Sequence, residues 1–301
     1  MKKLLKNIKN IYAKYKNYKN RYFDSKENLV YVYRKKQGLV NHAAQIETIA
    51  IRGSNTDYAF LPQYIDNSYN LGLTSSDVYF NYHLYLKCKE ILSNLKNVIY
   101  FMNGFANGMS LIRIKEKYRL VSYKYFFGIP YQEEGFIDEK IEKKIIKKCK
   151  KIKVNMPDNY CGYETKKFFM IGTNAGVRAQ NILKDNRREP DQIIWIKKTI
   201  EQIIEDDKHI FIVIPPYSTK LKNNLPPKEE LYKKTYSLLN NYGNSPNIHL
   251  IDLYDSDLFD DSDMGDNDHF NEKGAKKCTM IIKDYLDCLM SKNDNRSIYN
   301  I

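Results

Sequence analysis

The sequence predicts an α/β fold in which helices cover both faces of a parallel sheet. Five short segments are rich in apolar residues, which is typical of strands in a sheet that is covered on both faces. Helix signals separate them, and this alternation favours a parallel arrangement. The predicted strands are Thr48–Gly53, Ser68–Gly72, Val98–Met102, Ile210–Ile214 and Ile248–Leu253.

Helices are predicted from residue spacing and from start signals. Thr74–Asp77 contains the residue types that cap helix N-termini, so a helix is expected to begin just after it. The predicted helices are Tyr58–Tyr64, Ser76–Ser93, Pro190–Glu205, Lys228–Asn241 and Glu272–Met290.

The predicted organisation is a basic N-terminal helical extension over residues 1–46 followed by an α/β domain over residues 47–301. An insertion at about 108–166 interrupts the domain, and its basic run Glu139–Lys153 has helical spacing. Residues 1–23 place apolar and tyrosine side chains at steps of three and four among lysines, which predicts a basic amphipathic helix. Two interpretations of that helix stay open: docking on the domain, which the tyrosines favour, or contact with an anionic membrane surface.

The net charge of the chain is +13, which favours acidic partners such as phosphates, anionic glycans or membrane headgroups. An even excess of Lys, Asn, Ile and Tyr along the chain fits an AT-rich genome equally well. The basic runs lack the interleaved motifs of RNA-binding modules, so nucleic acid is not an expected partner.

Localisation is predicted to be cytoplasmic, or peripheral at the inner face of the membrane through residues 1–23. No apolar run approaches ~18 residues, the length that a transmembrane helix needs. The start resembles a signal peptide, but Lys6 and Lys9 interrupt its apolar region. Five scattered cysteines without a CxxC pair predict reduced thiols rather than disulfides or a zinc site.

Reactive side chains follow the predicted strands at one edge of the sheet. Ser54 and Gly72 come directly after the first two strands, and Asn103 follows the third. Asp266 and His269 lie between the fifth strand and the last helix. Because the carboxyl ends of parallel strands meet at one edge, these residues are expected to lie close together.

These residue types suit acyl transfer. A serine hydroxyl needs a base, and an imidazole that titrates near neutrality can supply one. Asp266 would orient His269 and stabilise its protonated form. The amides of Ser54 and Gly72 and the side-chain amide of Asn103 are the predicted oxyanion donors. Asp268 is expected to begin the last helix.

The segments Arg52-Gly53-Ser54-Asn55, Tyr69-Asn70-Leu71-Gly72-Leu73 and Asp266–Ala275 resemble the SGNH (GDSL-like) hydrolase superfamily. The likeness is to members found among bacterial surface-polysaccharide genes, and it covers about residues 47–290. It implies a flavodoxin-like three-layer α/β/α sandwich and ester hydrolysis or acyl transfer, often on glycans. The sequence departs from the family pattern at Gly53, where an Asp is usual.

A second departure is the missing Gly-x-Asn-Asp block after the third strand, where Asn103-Gly104 stands instead. Asn103 is the preferred oxyanion side chain because its strand comes in the expected order. Two alternatives stay open. Asn107 lies nearby, and Asn174 ends a literal Gly172-Thr173-Asn174 that follows the apolar run Phe168–Ile171.

The leading functional hypothesis is a serine esterase or O-acetyl-type acyltransferase that acts on a surface-glycan (for example capsule) precursor through a covalent acyl-serine. The alternative is a non-catalytic SGNH-scaffold module that binds an anionic glycan or membrane surface through its basic face. No cofactor and no metal are predicted. The chain lacks glycine-rich phosphate motifs, and its acidic stretch Asp252–Asp268 lacks the closing glutamate of an EF-hand.

Overall fold

Five strands form a single all-parallel sheet. The computed structural model describes residues 24–157, 159–165, 174–243 and 245–296. The strand order is β2-β1-β3-β4-β5, and every neighbouring pair is parallel. The predicted fold class is therefore confirmed, with each strand within one residue of its expected bounds. The strands are β1 (Thr48–Arg52), β2 (Ser68–Gly72), β3 (Asn97–Phe101), β4 (His209–Ile214) and β5 (Ile248–Asp252).

The helices agree less closely with expectation. The last helix extends beyond the predicted Met290, and the predicted Lys228–Asn241 helix is two short helices. The described α-helices are α1 (Lys26–Asn41), α2 (Ser54–Ala59), α3 (Val78–Ile91), α4 (Arg119–Phe127), α5 (Glu139–Cys149), α6 (Ala175–Arg188), α7 (Ile193–Glu205), α8 (Thr219–Lys222), α9 (Lys228–Leu231), α10 (Lys233–Asn240) and α11 (Glu272–Arg296).

Two apolar cores lie on opposite faces of the sheet, because successive strand residues point to opposite sides. Ile49 and Ile51 of β1 belong to one core, which includes residues of α1, α3 and α7. Ala50 lies between them in sequence and belongs to the other core, with residues of α2 and α11. This gives three layers, helix–sheet–helix, as expected.

The first described helix is part of this packing. Leu29, Val32 and Leu39 of α1 are buried in the same core as the sheet. Residue 47 therefore does not begin the packed unit, although α1 belongs to the predicted N-terminal extension. The predicted basic helix over residues 1–23 and the apolar run Phe168–Ile171 lie outside the described residues.

The end of the 108–166 insertion packs against β2, a strand at the side of the sheet that has only one neighbouring strand. The backbone amide of Asn70 on β2 donates to the Cys161 carbonyl at 3.0 Å. A side chain on Gly162, whose φ is +85°, would collide with the Asn70 carbonyl. This contact satisfies part of an edge that would otherwise be open to pairing. In the described part of the chain, no helix has the length and apolarity needed to cross a membrane.

Candidate active site

Ser54 is held in a tight turn between β1 and α2. Arg52, the last residue of β1, has φ +113°, a region that residues other than glycine seldom occupy. Gly53 is the N-cap of α2, and Ser54 is its first residue. The turn therefore reverses the chain directly at the serine, and such backbone strain clusters at functional sites. Ser54 lies at the carboxyl end of the first strand, as predicted.

Asp266 and His269 lie in a loop that precedes α11. The Asp266 carboxylate accepts the backbone N–H groups of Asp268 and His269, both at 2.9 Å. The same carboxylate lies 2.9 Å from Nδ1 of the His269 ring. Aspartate readily forms such local turns because its short side chain reaches backbone donors two and three residues ahead. One carboxylate therefore fixes both the loop and the imidazole.

The structure brings Ser54, His269 and Asp266 together. The Ser54 Oγ lies 2.7 Å from Nε2 of His269, which is hydrogen-bond distance. The Tyr58 ring, one turn along α2 from the serine, packs on the imidazole with centroids 4.7 Å apart. The histidine is thus held by a carboxylate at one nitrogen, by a hydroxyl at the other and by an aromatic face.

The electrostatic environment keeps Asp266 charged and makes His269 more basic. Burial alone would lower the pKa of His269, but Asp268 and Asp266 outweigh it, so the pKa rises above its usual value near 6.5. Burial would raise the pKa of Asp266, but the hydrogen bond from His269 holds it below its ordinary value. These directions describe a carboxylate that stabilises a protonated imidazole.

Asn55 ties the serine turn to the histidine loop. Its side-chain amide donates to the Asp268 carbonyl at 2.6 Å. Its side-chain oxygen accepts a hydrogen bond from Asn103 Nδ2 at 2.8 Å. Asn103 is buried and also lines the cleft beside Ser54. This bond uses one of the two N–H groups of the Asn103 amide, so Asn103 keeps a donor for an oxyanion.

The expectation for Gly72 is wrong. Its amide donates to the Asn70 side-chain oxygen at 2.9 Å, and its carbonyl accepts from the Tyr31 hydroxyl. A Cβ on Gly72 would collide with the backbone of Asp57, so this glycine is needed for close packing of α2 on β2. Since its N–H is already bonded inside the protein, Gly72 is not a donor in the cleft.

Ser75, unlike Gly72, lines the cleft beside Ser54. Its φ is +61°, the left-handed conformation that usually favours glycine, and it lines the cleft with Ser54. Its side chain donates to Glu116 at 2.6 Å. In the described part of the chain, its backbone N–H has no hydrogen-bond acceptor. The donors available near Ser54 are therefore the amides of Ser54 and Ser75 and the side chain of Asn103.

The two alternative asparagines lie elsewhere. Asn107 is buried, accepts a hydrogen bond from Thr235 at 3.2 Å and does not line the cleft. Asn174 is the exposed N-cap of α6, where its side chain accepts the amides of Gly176 and Val177. Of the three asparagines, Asn103 alone lines the cleft beside Ser54.

Arg178 holds a second carboxylate beside the histidine. Its guanidinium makes two hydrogen bonds to Asp268, one of them from Nε at 3.0 Å. Asp268 Oδ1 lies 3.8 Å from His269 Nδ1, farther than Asp266. Asp268 is buried, so it is a partner of Arg178 rather than simply a helix-start residue. Arg178 thus fixes this carboxylate near the imidazole and partly offsets its charge.

Asp266, Asp268 and His269 also have the chemistry of metal ligands. One ligand atom from each lies within 4.8 Å of the others. Their atoms are already engaged, however: Asp266 with His269 and Asp268 with the Arg178 guanidinium. A cation at this position would have to displace an arginine. The residues therefore fit a hydrogen-bonded relay better than a metal site.

No protein-family model matches this chain, and no curated protein matches its sequence. Among solved structures, one from Streptococcus pneumonia, provisionally named a platelet activating factor, is similar to it with 12% sequence identity and a TM-score of 0.43. The match covers 85% of this chain and 91% of that chain. The chemistry of the site must therefore follow from its own side chains.

A cleft of about 590 Å³ opens beside the serine. Ser54, Ser75 and Asn103 line it, and Phe105 and Met109 supply apolar surface. Its remaining walls come from residues 113–116 and from α6, which also carries Arg178. The cleft is large enough for a small ligand and places that ligand against the Ser54 hydroxyl.

Four residues of the site were not predicted from the sequence. Asn55 directly follows the serine, so its position in the motif was a usable signal. Ser75 lies in the capping run before α3, where a left-handed residue has no distinct sequence mark. Arg178 and Tyr58 reach the site only through tertiary packing, which no local pattern reports.

Proposed function

We propose that this protein is a serine-dependent enzyme of the SGNH type that hydrolyses esters or transfers acyl groups. The observation that carries the proposal is the unbroken contact chain from Ser54 Oγ to His269 at 2.7 Å and from His269 to Asp266 at 2.9 Å. These three residues lie at the carboxyl ends of the strands of a parallel sheet, where α/β proteins bind ligands. A cleft opens onto the hydroxyl at its end.

In the first half of the reaction, Ser54 would attack the ester carbonyl. His269 Nε2 takes the hydroxyl proton as the Oγ–carbon bond forms, and Asp266 stabilises the resulting imidazolium through Nδ1. His269 then returns that proton to the leaving alkoxide as the carbon–oxygen bond breaks. The products are an alcohol and an acyl-serine.

The tetrahedral intermediate needs donors that are in place before charge develops. The Ser54 amide is at the first position of α2, where no intrahelical acceptor exists. The Ser75 amide, in the loop after β2, and the Asn103 side chain, in the loop after β3, would be the other two donors to the oxyanion. Asn55 would fix the orientation of Asn103 through their 2.8 Å hydrogen bond.

In the second half, His269 would take a proton from an acceptor that attacks the acyl-serine, and it would return that proton to Ser54 Oγ as the bond between the acyl group and Oγ breaks. Water as the acceptor gives hydrolysis, and a sugar hydroxyl gives transfer. We propose a bacterial surface-glycan or its precursor as the substrate and the cytoplasm as the location. The support for the substrate is the sequence likeness around Ser54 and His269.

The proposal is tested by turnover of a simple acetyl ester such as 4-nitrophenyl acetate. Ser54→Ala should reduce kcat to the level of the uncatalysed reaction while the circular dichroism spectrum and Tm are kept. Ser93→Ala is the matched control, because Ser93 is exposed and does not line the cleft. It should retain full activity.

Equal turnover by the wild type and Ser54→Ala would contradict the enzymatic proposal. The non-catalytic binding module would then be the better account, provided that glycan binding survives both Ser54→Ala and His269→Ala. Loss of activity together with loss of the folded state in Ser54→Ala would be resolved by Ser54→Cys, which keeps a nucleophile of similar size.

A further inference from the structure

The cleft beside Ser54 is more basic than the chain as a whole. Five of its sixteen lining residues are Lys or Arg and two are acidic. This is about twice the share of Lys and Arg in the whole sequence, 49 of 301. General basicity of the chain therefore does not account for the character of the cleft.

The three arginines of the cleft are each held by a carboxylate. Arg178 pairs with Asp268, and Arg188 pairs with Asp185 at 2.7 Å. Arg113 pairs with Glu133 at 2.6 Å, and its carbonyl accepts a hydrogen bond from Arg188. These contacts position the guanidinium groups and offset their positive charge. The arginines therefore add little net charge to the cleft.

The two lysines differ from the arginines. Lys115 lies in the segment before α4, and Lys184 lies on α6. Both are exposed, and neither has an ion-pair partner in the ranges that the structure describes. Lysine presents a compact charge that suits phosphate or carboxylate oxygens. The uncompensated charge of the cleft therefore comes from two lysines on two separate segments.

Taking the proposed esterase or acyltransferase function as given, we infer that its substrate carries an oxyanion, either a phosphate or a carboxylate, which Lys115 and Lys184 bind. Asn181 of α6 also lines the cleft and can donate a hydrogen bond to the same group. Phe105 and Met109 add apolar surface to the same cleft. The preferred substrate is thus an acylated anionic molecule, such as an O-acetylated sugar phosphate, rather than a neutral ester.

The inference is tested with a matched pair of esters, methyl 6-O-acetylglucoside and 6-O-acetylglucose 1-phosphate, with acetate release as the measurement. The phosphorylated ester should have the higher kcat/KM. Its KM should rise as sodium chloride is increased from 50 to 500 mM, because salt screens exposed charges. The KM of the neutral ester should not change with salt.

The decisive variant is Lys115→Gln/Lys184→Gln. It should raise the KM of the phosphorylated ester by roughly twofold to thirtyfold, the size expected from two exposed charge contacts, with kcat little changed. The matched control is Lys233→Gln/Lys234→Gln, which removes the same charge from exposed positions on α10. It should leave both esters unaffected.

A binding measurement tests the anion site independently of the proposed catalytic activity. Calorimetry with 6-O-acetylglucose 1-phosphate on Ser54→Ala needs no turnover, and adding the two cleft substitutions should weaken that binding by the same factor. Lysine-dependent binding without Ser54-dependent turnover in the wild type would support the anion site and contradict the enzyme. Equal kcat/KM for the two esters, unchanged in the cleft variant, would overturn the anion site and leave the enzyme standing.

Discussion

The sheet edge around Ser54 and the cleft wall formed by residues 113–116 and α6 are built in different ways. At the sheet edge, the polar groups are buried and bonded to one another: Asn103 to Asn55, Asn55 to the Asp268 carbonyl, and Asp268 to Arg178. On the cleft wall, Lys115 and Lys184 are exposed, and neither has an ion-pair partner among the described residues. The first region is buried and bonded within the protein, and the second is open to solvent.

The difference separates reaction from recognition. A proton relay requires fixed distances, which buried and mutually bonded groups maintain. Selection among substrates requires groups that are free to meet a ligand. Substitutions at the sheet edge should therefore change kcat or the stability of the fold, whereas substitutions on the cleft wall should change KM. The following experiments test that division, beginning with the largest expected effect.

Substitution of the base should nearly abolish turnover. His269→Gln removes the acceptor for the Ser54 proton, and we expect kcat to fall by about 10⁴ with KM little changed. His42→Gln, at the C-cap of α1 and outside the cleft, is the matched control and should be fully active. An activity of His269→Gln within tenfold of the wild type would place the base elsewhere.

The buried ion pair between α1 and α2, the helix that begins at Ser54, should make a large contribution to the free energy of unfolding. Lys35 of α1 and Asp57 of α2 form an ion pair at 2.7 Å with side chains 1% and 2% exposed. Lys35→Met leaves a buried charge without its cation, and we expect a loss of about 3–5 kcal/mol in the free energy of unfolding, measured by urea denaturation. Lys36→Met, at the neighbouring half-buried position, should cost less than about 1 kcal/mol.

Addition of Asp57→Asn to Lys35→Met should recover part of that loss, because no buried charge then remains. A double variant that is as unstable as the sum of the two single variants would show that the pair is not the cause.

Wild-type activity should depend on pH with a single ascending limb. His269 acts as a base only when neutral, and its pKa lies above the usual value near 6.5. The logarithm of kcat/KM for 4-nitrophenyl acetate should therefore rise by one per pH unit at low pH and level off above a midpoint higher than 6.5. A midpoint at or below 6.5 would mean that Asp266 and Asp268 do not act on the imidazole as the geometry indicates.

Substitution of Arg178 should have the smallest effect, a shift in the midpoint of the pH dependence of kcat/KM. Its charge opposes protonation of His269 and holds Asp268, so Arg178→Gln should move the midpoint to higher pH and reduce kcat/KM at pH 7 by roughly threefold to tenfold. The plateau at high pH should be nearly retained. Arg187→Gln, an exposed neighbour that does not line the cleft, is the matched control. An unshifted midpoint would make Arg178 a structural residue only.

The sequence was sufficient for the sheet and for the central contacts of the site. The apolar residues of the central strands β1, β3 and β4 reflect burial on both faces, a local property that shows in the residue types. Ser54, Asp266 and His269 follow strand ends, and parallel topology alone brings such positions together. Their contacts at 2.7 and 2.9 Å agree with that expectation.

The remaining features depend on packing that no local pattern encodes. Gly72 was assigned to the cleft because it ends a strand, yet its amide bonds to Asn70 and its Cα faces Asp57. The α6 helix was not predicted, and α1 was covered only by the general expectation of a helical extension over residues 1–46, although α1 supplies Lys35 and α6 supplies Arg178 and Lys184. The cleft wall could therefore not be predicted from the sequence, because it depends on where α6 packs in the fold.

The central claim is that Ser54 is the nucleophile, and covalent trapping tests it most directly. The wild-type protein should react with a fluorophosphonate probe, and peptide mass spectrometry should locate the adduct on Ser54. Labelling should be lost in Ser54→Ala and strongly slowed in His269→Gln. A wild-type protein that remains unlabelled, or an adduct on any residue other than Ser54, would contradict the account.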